Sequence, residues 1–247
     1  MRGKTRGVPF PSPRPSPQRR GRAALRLTDF ERVRRRPTLA DFLPVPEGEG
    51  RGEGKRAQPP CVFPAMTDRH HSGIVVTATS EVSGEDVASA RLGSRFGRMD
   101  LSSQLALLAV EKLGVNFDEW PRDRIAICLA SSAGSLATDA EYWQGRVQAG
   151  GPSPTLFTYT LPSAPLGEIA IRHRITGPNL CFVSDGREVP DEAEELLRRG
   201  EADACVCVIV EVVSPTLAEF LRVPVAARAR ASFLRRDISD SVTERGL

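Results

Sequence analysis

The sequence predicts an α/β protein in which helices cover both faces of a mainly parallel or mixed sheet. Short runs of apolar and β-branched residues alternate along the chain with longer segments of helical periodicity. Two of the runs, at 125–130 and 202–213, are almost entirely apolar, which is typical of strands buried on both faces.

The first strand and the first long helix follow from local patterns. Residues 73–79 form a short β-branched block that predicts a buried strand. Leucine and alanine residues recur at helical spacing over 101–113, after Asp100 as a suitable N-cap and before Gly114 as a stop. This segment therefore predicts an amphipathic helix with one broad core face.

The middle of the chain alternates in the same way. The apolar run at 125–130 predicts a central strand, and it leads into a helix predicted at 135–149 that the sequence 150–152 (Gly-Gly-Pro) ends. Aromatic residues alternate with threonines over 153–162, so this segment is predicted to be extended. Apolar residues at helical spacing then predict a helix over 163–175.

The last part of the domain repeats the pattern. A short strand is predicted at 179–184, and a helix at 187–199 with acidic residues first and arginines last, which suits the helix dipole. A further strand is predicted at 202–213. Residues 217–234 fit either an edge strand or a helix.

The composition divides the chain into three regions. Residues 1–65 contain 11 of the 20 prolines and 15 Lys/Arg against 6 Asp/Glu, which is typical of a disordered tail or of a spurious extension before a start at Met66. The α/β domain is predicted at 66–214 and a C-terminal extension at 215–247. The remainder from 66 onward holds 19 basic and 25 acidic residues and no recognisable nucleic-acid-binding module, so no specific nucleic-acid partner is expected.

The cysteines and the hydropathy indicate the compartment. Five cysteines are an odd number, and three of them, Cys128, Cys205 and Cys207, lie inside apolar strand-like runs, so buried free thiols are expected rather than a disulfide framework. No apolar run reaches the length of a membrane span. We therefore expect a cytoplasmic protein without a metal or cofactor.

Several short sequence motifs occur in an order that is similar to that in the thiolase-fold β-ketoacyl synthases. Each motif alone is only weakly specific, but together the motifs extend from residue 98 to residue 203. The motifs are Arg98-Met99-Asp100-Leu101-Ser102-Ser103, Arg124-Ile125-Ala126-Ile127 leading to Ser131-Ser132-Ala133-Gly134, Ser153-Pro154-Thr155-Leu156-Phe157 with Tyr159-Thr160-Leu161-Pro162, Gly177-Pro178, and Arg198-Arg199-Gly200-Glu201-Ala202-Asp203. The resemblance implies a thiolase-like layered fold of which this chain holds the N-terminal half.

The resemblance also implies a nucleophile that this chain lacks. In that family the strand after Gly-Pro ends in a cysteine at the start of a buried helix, whose N-terminus makes it an acyl-accepting thiolate. Here the same strand runs into Ser184, Asp185 and Gly186. Cys181 lies earlier, within the strand, where a packed core role is favoured. For Ser184 or Asp185 we expect an N-capping role, because no base follows nearby in the sequence.

The histidines of this chain also differ from the catalytic residues of that family. Ketosynthases use two histidines of their C-terminal half, and the three histidines here, His70, His71 and His173, do not replace them. The favoured hypothesis is a non-catalytic subunit similar to a chain-length factor, paired with a full-length ketosynthase and possibly served by an acyl carrier protein, in a fatty-acid, polyketide or aryl-polyene-type synthase. Two alternatives remain: an acyl-transferring enzyme that uses Ser184 or Cys181, and a thiolase-fold remnant with a structural role.

The resemblance also suggests which residues form the contact with the partner. Ketosynthases dimerise through the strand after Gly-Pro, which corresponds to Leu180, Phe182 and Val183 in this chain. Phe157 and Tyr159 fit either an acyl tunnel or subunit seam, or the core of the monomer.

Overall fold

The computed structural model describes residues 73–145, 151 and 153–237, and all of them fall within one compact unit. The strands are β1 (Ile74–Ser83), β2 (Ile125–Ala130), β3 (Asn179–Phe182), β4 (Ala204–Val213) and β5 (Ala226–Arg236). The helices are α1 (Gly84–Ser89), α2 (Leu101–Lys112), α3 (Leu136–Gly145), α4 (Pro154–Phe157), α5 (Ala164–His173), α6 (Val189–Arg198) and α7 (Pro215–Leu221).

Some of the predictions lie outside the described residues. They are the tail at 1–65 with Cys61, the histidines His70 and His71, and the end of the chain from 238 onward. Residues 146–149 of the helix predicted at 135–149 also lie outside, together with Gly150 and Pro152, which were predicted to end that helix.

The five strands form one mixed sheet in the order β1-β5-β4-β2-β3. Strands β4, β2 and β3 are parallel, whereas β5 is antiparallel to both β4 and β1. Because β2 and β4 are buried along their whole length, the prediction of apolar strands inside a sheet is confirmed.

Helices cover both faces of the sheet, as predicted. Alternate side chains of β2 point in opposite directions: Ile127 packs in the larger core beneath α2 and α5, and Cys128 packs in a smaller core beneath α6. Helix α2 begins as predicted, because the Asp100 carboxylate accepts a hydrogen bond from the backbone N–H of Ser103. Asp100 also accepts a hydrogen bond from Thr138 of α3, 2.7 Å away, which links the two helices.

Strand β1 differs from its prediction as a buried strand. It runs to Ser83 and lies at one edge of the sheet, where β5 is its one partner among the strands that the structure describes. Several of its side chains are exposed for this reason, and a bulge between Val76 and Ala78 interrupts the pairing.

Residues 217–234, which the sequence left open between a helix and an edge strand, contain both elements. Helix α7 ends at Leu221, and β5 follows. Strand β5 is not an edge strand, since it lies between β1 and β4 and pairs with both. Its position makes residues 226–236 part of the same sheet as the rest of the fold.

The prediction of an extended segment at 153–162 is wrong. Residues 154–157 form the short helix α4, and turns follow it. The side chain of Ser153 accepts a hydrogen bond from Leu156 N–H, and Pro154 occupies the first helical turn. This combination of a serine cap and a proline starts a helix more strongly than alternating aromatic residues favour a strand.

The amino ends of the parallel strands are held by ion pairs. Arg124, just before β2, donates two hydrogen bonds to the carboxylate of Asp203, just before β4, and a third to the carbonyl of Gly200. Arg236 at the end of β5 donates to the same carboxylate. These contacts join three strands at one end of the sheet.

Candidate functional site

The parallel strands β2 and β3 end side by side, and β4 continues to Val213, four residues beyond them. This edge of the sheet is called the carboxyl end below. In α/β proteins, ligands and catalytic groups gather where parallel strands end. Here β2 is followed by the loop 131–134 and β3 by residues 184–186, called the elbow below. The backbone N–H of Ser184 donates to the carbonyl of Ser131, so that the loop and the elbow are in direct contact.

A buried carboxylate, Glu211, stands behind this loop. Its two oxygens accept hydrogen bonds from the backbone N–H of Ser132 at 2.8 Å and from the Ser132 hydroxyl at 2.7 Å. Burial raises the pKa of the Glu211 carboxyl, and the hydrogen bonds from Ser132 oppose this rise. Glu211 was not predicted from the sequence as a site residue, although one acidic residue inside an apolar strand is a signal of a buried polar contact.

The elbow is a tight turn without a thiol. The hydroxyl oxygen of Ser184 accepts from the backbone N–H of Gly186, and the carboxylate of Asp185 accepts from the backbone N–H of Arg187. Gly186 has φ = +82°, and a Cβ there would lie 2.9 Å from the side chain of Ile209 in β4. The turn is thus closed by its own side chains and pressed against the sheet.

Helix α6 does not begin at the elbow, which corrects the expectation that Ser184 or Asp185 caps it. The N-cap residue is Glu188, and it makes no side-chain capping hydrogen bond. The first turn of α6 carries Asp191 and Glu192. Because these carboxylates neutralise the positive end of the helix dipole, a thiolate there would gain little stabilisation.

Cys181 lies within β3, as the sequence indicated. Its side chain packs against the larger core, and burial raises the pKa of its thiol. A raised pKa favours the protonated thiol, which is a poor nucleophile at neutral pH.

Among the described residues, no strand pairs with the outer edge of β3. Carbonyls of Pro178 and Phe182 accept from β2 and from Ser131. Since the peptide groups of successive strand residues point to opposite sides, those of Asn179, Cys181 and Val183 point away from the sheet. Leu180 and Phe182 are partly buried against the smaller core, whereas the side chain of Val183 is exposed.

Phe157 and Tyr159 do not share a face. Phe157 is exposed and stacks on Tyr142 with ring centroids 5.4 Å apart. Tyr159 is buried, and its hydroxyl donates to the buried carboxylate of Glu168, which also receives two hydrogen bonds from Arg95. Burial and the hydrogen bond to Glu168 raise the pKa of Tyr159 to about 12. Tyr159 is therefore a core residue.

His173 lies far from the elbow. It is the last residue of α5, close to the amino end of β2, and the length of β2, roughly 17 Å for five steps of about 3.3 Å, separates it from the carboxyl end. Its ring stacks on Phe117 at 4.6 Å, with Nε2 3.8 Å from a carboxylate oxygen of Glu111. Burial lowers the pKa of His173, which supports a packed rather than a solvated role.

The strand cysteines Cys128, Cys205 and Cys207 are buried free thiols, as predicted. In the part of the chain that the structure describes, no helix is long and apolar enough to cross a membrane.

No protein-family model and no curated protein sequence matches the chain. Many solved structures are similar to it, and they include the following three. The ishigamide ketosynthase/chain length factor has a TM-score of 0.54 and 19% identity, over 66% of this chain and 62% of that one. A ketosynthase (ApeO) in complex with its chain length factor (ApeC), from Xenorhabdus doucetiae, has a TM-score of 0.52 and 16% identity, over 68% of this chain and 80% of that one.

The third structure, AntDE:AntF, is a type II polyketide synthase acyl-carrier protein in complex with its ketosynthase. Its TM-score is 0.55 at 16% identity, over 71% of this chain and 65% of that one. The chain thus spans 62% of the length of the first of these structures. The chain has the layered α/β fold of the thiolase-like ketosynthases, as the sequence resemblance implied.

Proposed function

We propose that this chain is a non-catalytic subunit similar to a chain-length factor, which pairs with a full-length ketosynthase in a synthase of the fatty-acid, polyketide or aryl-polyene type. In this role it completes and shapes the site of its partner instead of forming carbon–carbon bonds itself. Cytoplasmic location and service by an acyl carrier protein are parts of the same proposal.

The observation that carries the proposal is the rebuilt elbow. At the place where the resemblance expects a cysteine at a helix start, the chain has Ser184, Asp185 and Gly186, and α6 begins only at Val189. A ketosynthase needs a thiolate at this place to accept the acyl group. The fold is kept while the group that reacts is missing.

The two alternative nucleophiles gain little support from their surroundings. The thiol of Cys181 is held in its protonated form by burial. The hydroxyl of Ser184 is engaged with Gly186 N–H, and the described histidine, His173, lies at the opposite end of β2. A serine nucleophile needs a base within hydrogen-bond reach.

The open edge of β3 supports association rather than a purely structural remnant. It has peptide groups that point outward at Asn179, Cys181 and Val183, without a lysine, proline or bulge to prevent pairing. Addition of a strand from a partner would satisfy these groups.

Association is tested by co-expressing the chain with each full-length ketosynthase of the same genome and measuring the mass of the complex by light scattering. We expect a 1:1 heterodimer with one of them. Cys181→Pro removes an N–H that points outward and should abolish the complex, whereas Cys181→Ala keeps the N–H and should bind normally. Circular dichroism must show that both variants are folded.

Catalytic inactivity is tested by incubating the isolated chain with acyl-loaded carrier protein and measuring its intact mass. We expect no stable acyl adduct. An adduct on Cys181 or Ser184 would favour the acyl-transferring enzyme, and a chain that binds no ketosynthase would leave the partner role without support.

A further inference from the structure

The exposed apolar side chains of this protein are concentrated at one end of the sheet. Ten large apolar side chains are exposed in the described part of the chain. Six of them lie in or next to the segments that follow β2, β3 and β4 at the carboxyl end and are called the apolar rim: Leu136, Leu161, Val183, Phe220, Leu221 and Val225. Such a concentration on a soluble domain marks an interaction surface.

The rim has two parts, one on each side of the elbow. On the β3 side, Val183 and Pro162 both lie within 4 Å of the place that a Cβ on Gly134 would occupy, so that the neighbouring Leu161 and Leu136 belong to one surface. On the β4 side, α7 and the loop to β5 connect Val213 to its paired residue Ala226 and carry the other three side chains.

The edge strand alone is too small to hold a partner. Each residue of a protein interface buries roughly 30–40 Å², so the five residues 179–183 would bury less than about 200 Å² of the roughly 800 Å² that each partner contributes to a stable interface. The remaining area must come from surface next to the strand. The apolar rim begins at Val183, directly after β3.

We infer that the partner covers the whole apolar rim, from the edge of β3 across the elbow to α7, and so encloses the elbow inside the complex. This inference rests on the proposed function, and the occupant is the full-length ketosynthase, which would have to present an edge strand and an apolar surface beside it. The elbow then lies at the centre of the interface instead of at its margin.

Matched variants on and off the apolar rim test whether the partner covers it. Val225 and Phe220 on the rim have exposures of 59% and 42%, and Ile171 and Val76 near the amino end of the sheet have 61% and 42%. Each is replaced by aspartate in a separate variant. We expect Val225→Asp and Phe220→Asp to weaken the binding of the ketosynthase about tenfold or more, because they bury a charge in an apolar contact. Ile171→Asp and Val76→Asp should change the Kd less than about twofold.

Hydrogen exchange gives a second measurement on the wild-type complex. The backbone amides of residues 183–187 should exchange more slowly in the complex than in the free chain, since the partner covers them. Melting temperatures must show that each aspartate variant is folded.

The outcomes separate the inference from the proposed function. If Val225→Asp and Phe220→Asp bind normally while Cys181→Pro does not bind, the interface is restricted to β3; the inference then fails and the proposed function stands. If the wild-type chain binds no ketosynthase, or covers its rim with a second copy of itself, both fail.

Discussion

The two ends of the parallel strands have opposite characters. At the amino end, the carboxylate of Asp203 binds Arg124 and Arg236, and Gly177 packs against the backbone just before β2. At the carboxyl end the sheet finishes in the elbow, a serine–carboxylate contact and the apolar rim. The motifs on which the resemblance to ketosynthases depends include Arg124, Gly177 and Asp203. Much of that resemblance therefore comes from residues that stabilise the fold. The amino end can therefore preserve the fold even where the residues at the carboxyl end differ.

The largest loss of stability is expected from replacing Gly177 at the amino end, and Gly186 at the carboxyl end provides the comparison. A Cβ on Gly177 would overlap the carbonyl oxygens of Ile125 and Asp123, which belong to rigid backbone. Gly177→Ala should therefore destabilise the protein by about 3 kcal/mol or more, or prevent folding. Gly186→Ala meets the side chain of Ile209 instead of backbone, and the positive φ at this position adds strain, so a smaller loss of about 1–2 kcal/mol is expected. Urea unfolding of both variants measures the difference, and equal losses would contradict a more rigid amino end.

The loss of a polar contact should likewise cost more stability at the amino end than at the carboxyl end. Asp203→Asn removes a carboxylate that two arginines share, with an expected loss of about 1–2 kcal/mol, since both partners are partly exposed to water. Ser132→Ala at the carboxyl end removes one hydrogen bond to Glu211 and should cost about 0.5–1 kcal/mol. Asp118→Asn, which loses one exposed pair with Arg122, is the control and should cost less than about 0.5 kcal/mol. A larger loss for Ser132→Ala than for Asp203→Asn would reverse the comparison.

The smallest effects concern pH, and the two ends should respond with opposite signs. At the amino end, burial lowers the pKa of His173 below its ordinary value of 6.5. The folded state therefore binds the proton less readily than the unfolded state, and stability should fall as the pH drops through 6.5. At the carboxyl end, burial raises the pKa of Glu211 above 4.5, so its contribution is lost as the pH rises from 4.5 through the folded value.

Thermal melts between pH 4.5 and 7.5 test these signs. His173→Gln should reduce the loss of stability of the wild type on acidification below pH 6.5, and Glu211→Gln should reduce the loss on raising the pH from 4.5. Curves parallel to that of the wild type would show that these groups do not set the pH dependence.

The elements whose signals are local could be predicted from the sequence. The cap at Asp100 and the apolar runs of β2 and β4 locate their helix and strands correctly, because capping and burial act on neighbouring residues. The order of the strands could not be predicted in this way. Nothing near β5 in the sequence states that it lies between β1 and β4, because that order is decided by pairing between distant residues.

The candidate site shows the same limit. The missing cysteine at residues 184–186 can be read directly from the sequence, but the place where α6 begins cannot, because Glu188 is not a favourable cap and Pro190 fits several starts. The contact between Ser132 and Glu211 joins residues 79 apart in the chain, and it is formed only when β2 and β4 pair. Contacts of this kind need the sheet register, which no local pattern supplies.

The place of β5 in the sheet has a consequence for how the chain is made. Among the strands that the structure describes, β1 pairs only with β5, and its partners are distant: Ser83 pairs with Arg228 and Ile74 with Arg236. At about 5–20 residues per second, roughly 150 residues take about 8–30 s to synthesise. During that time β1 has left the ribosome and has no strand to pair with, so a nascent chain that stalls before residue 226 presents a β-branched segment to chaperones or to aggregation. We therefore expect the speed of translation through residues 84–225 to influence the yield of folded protein.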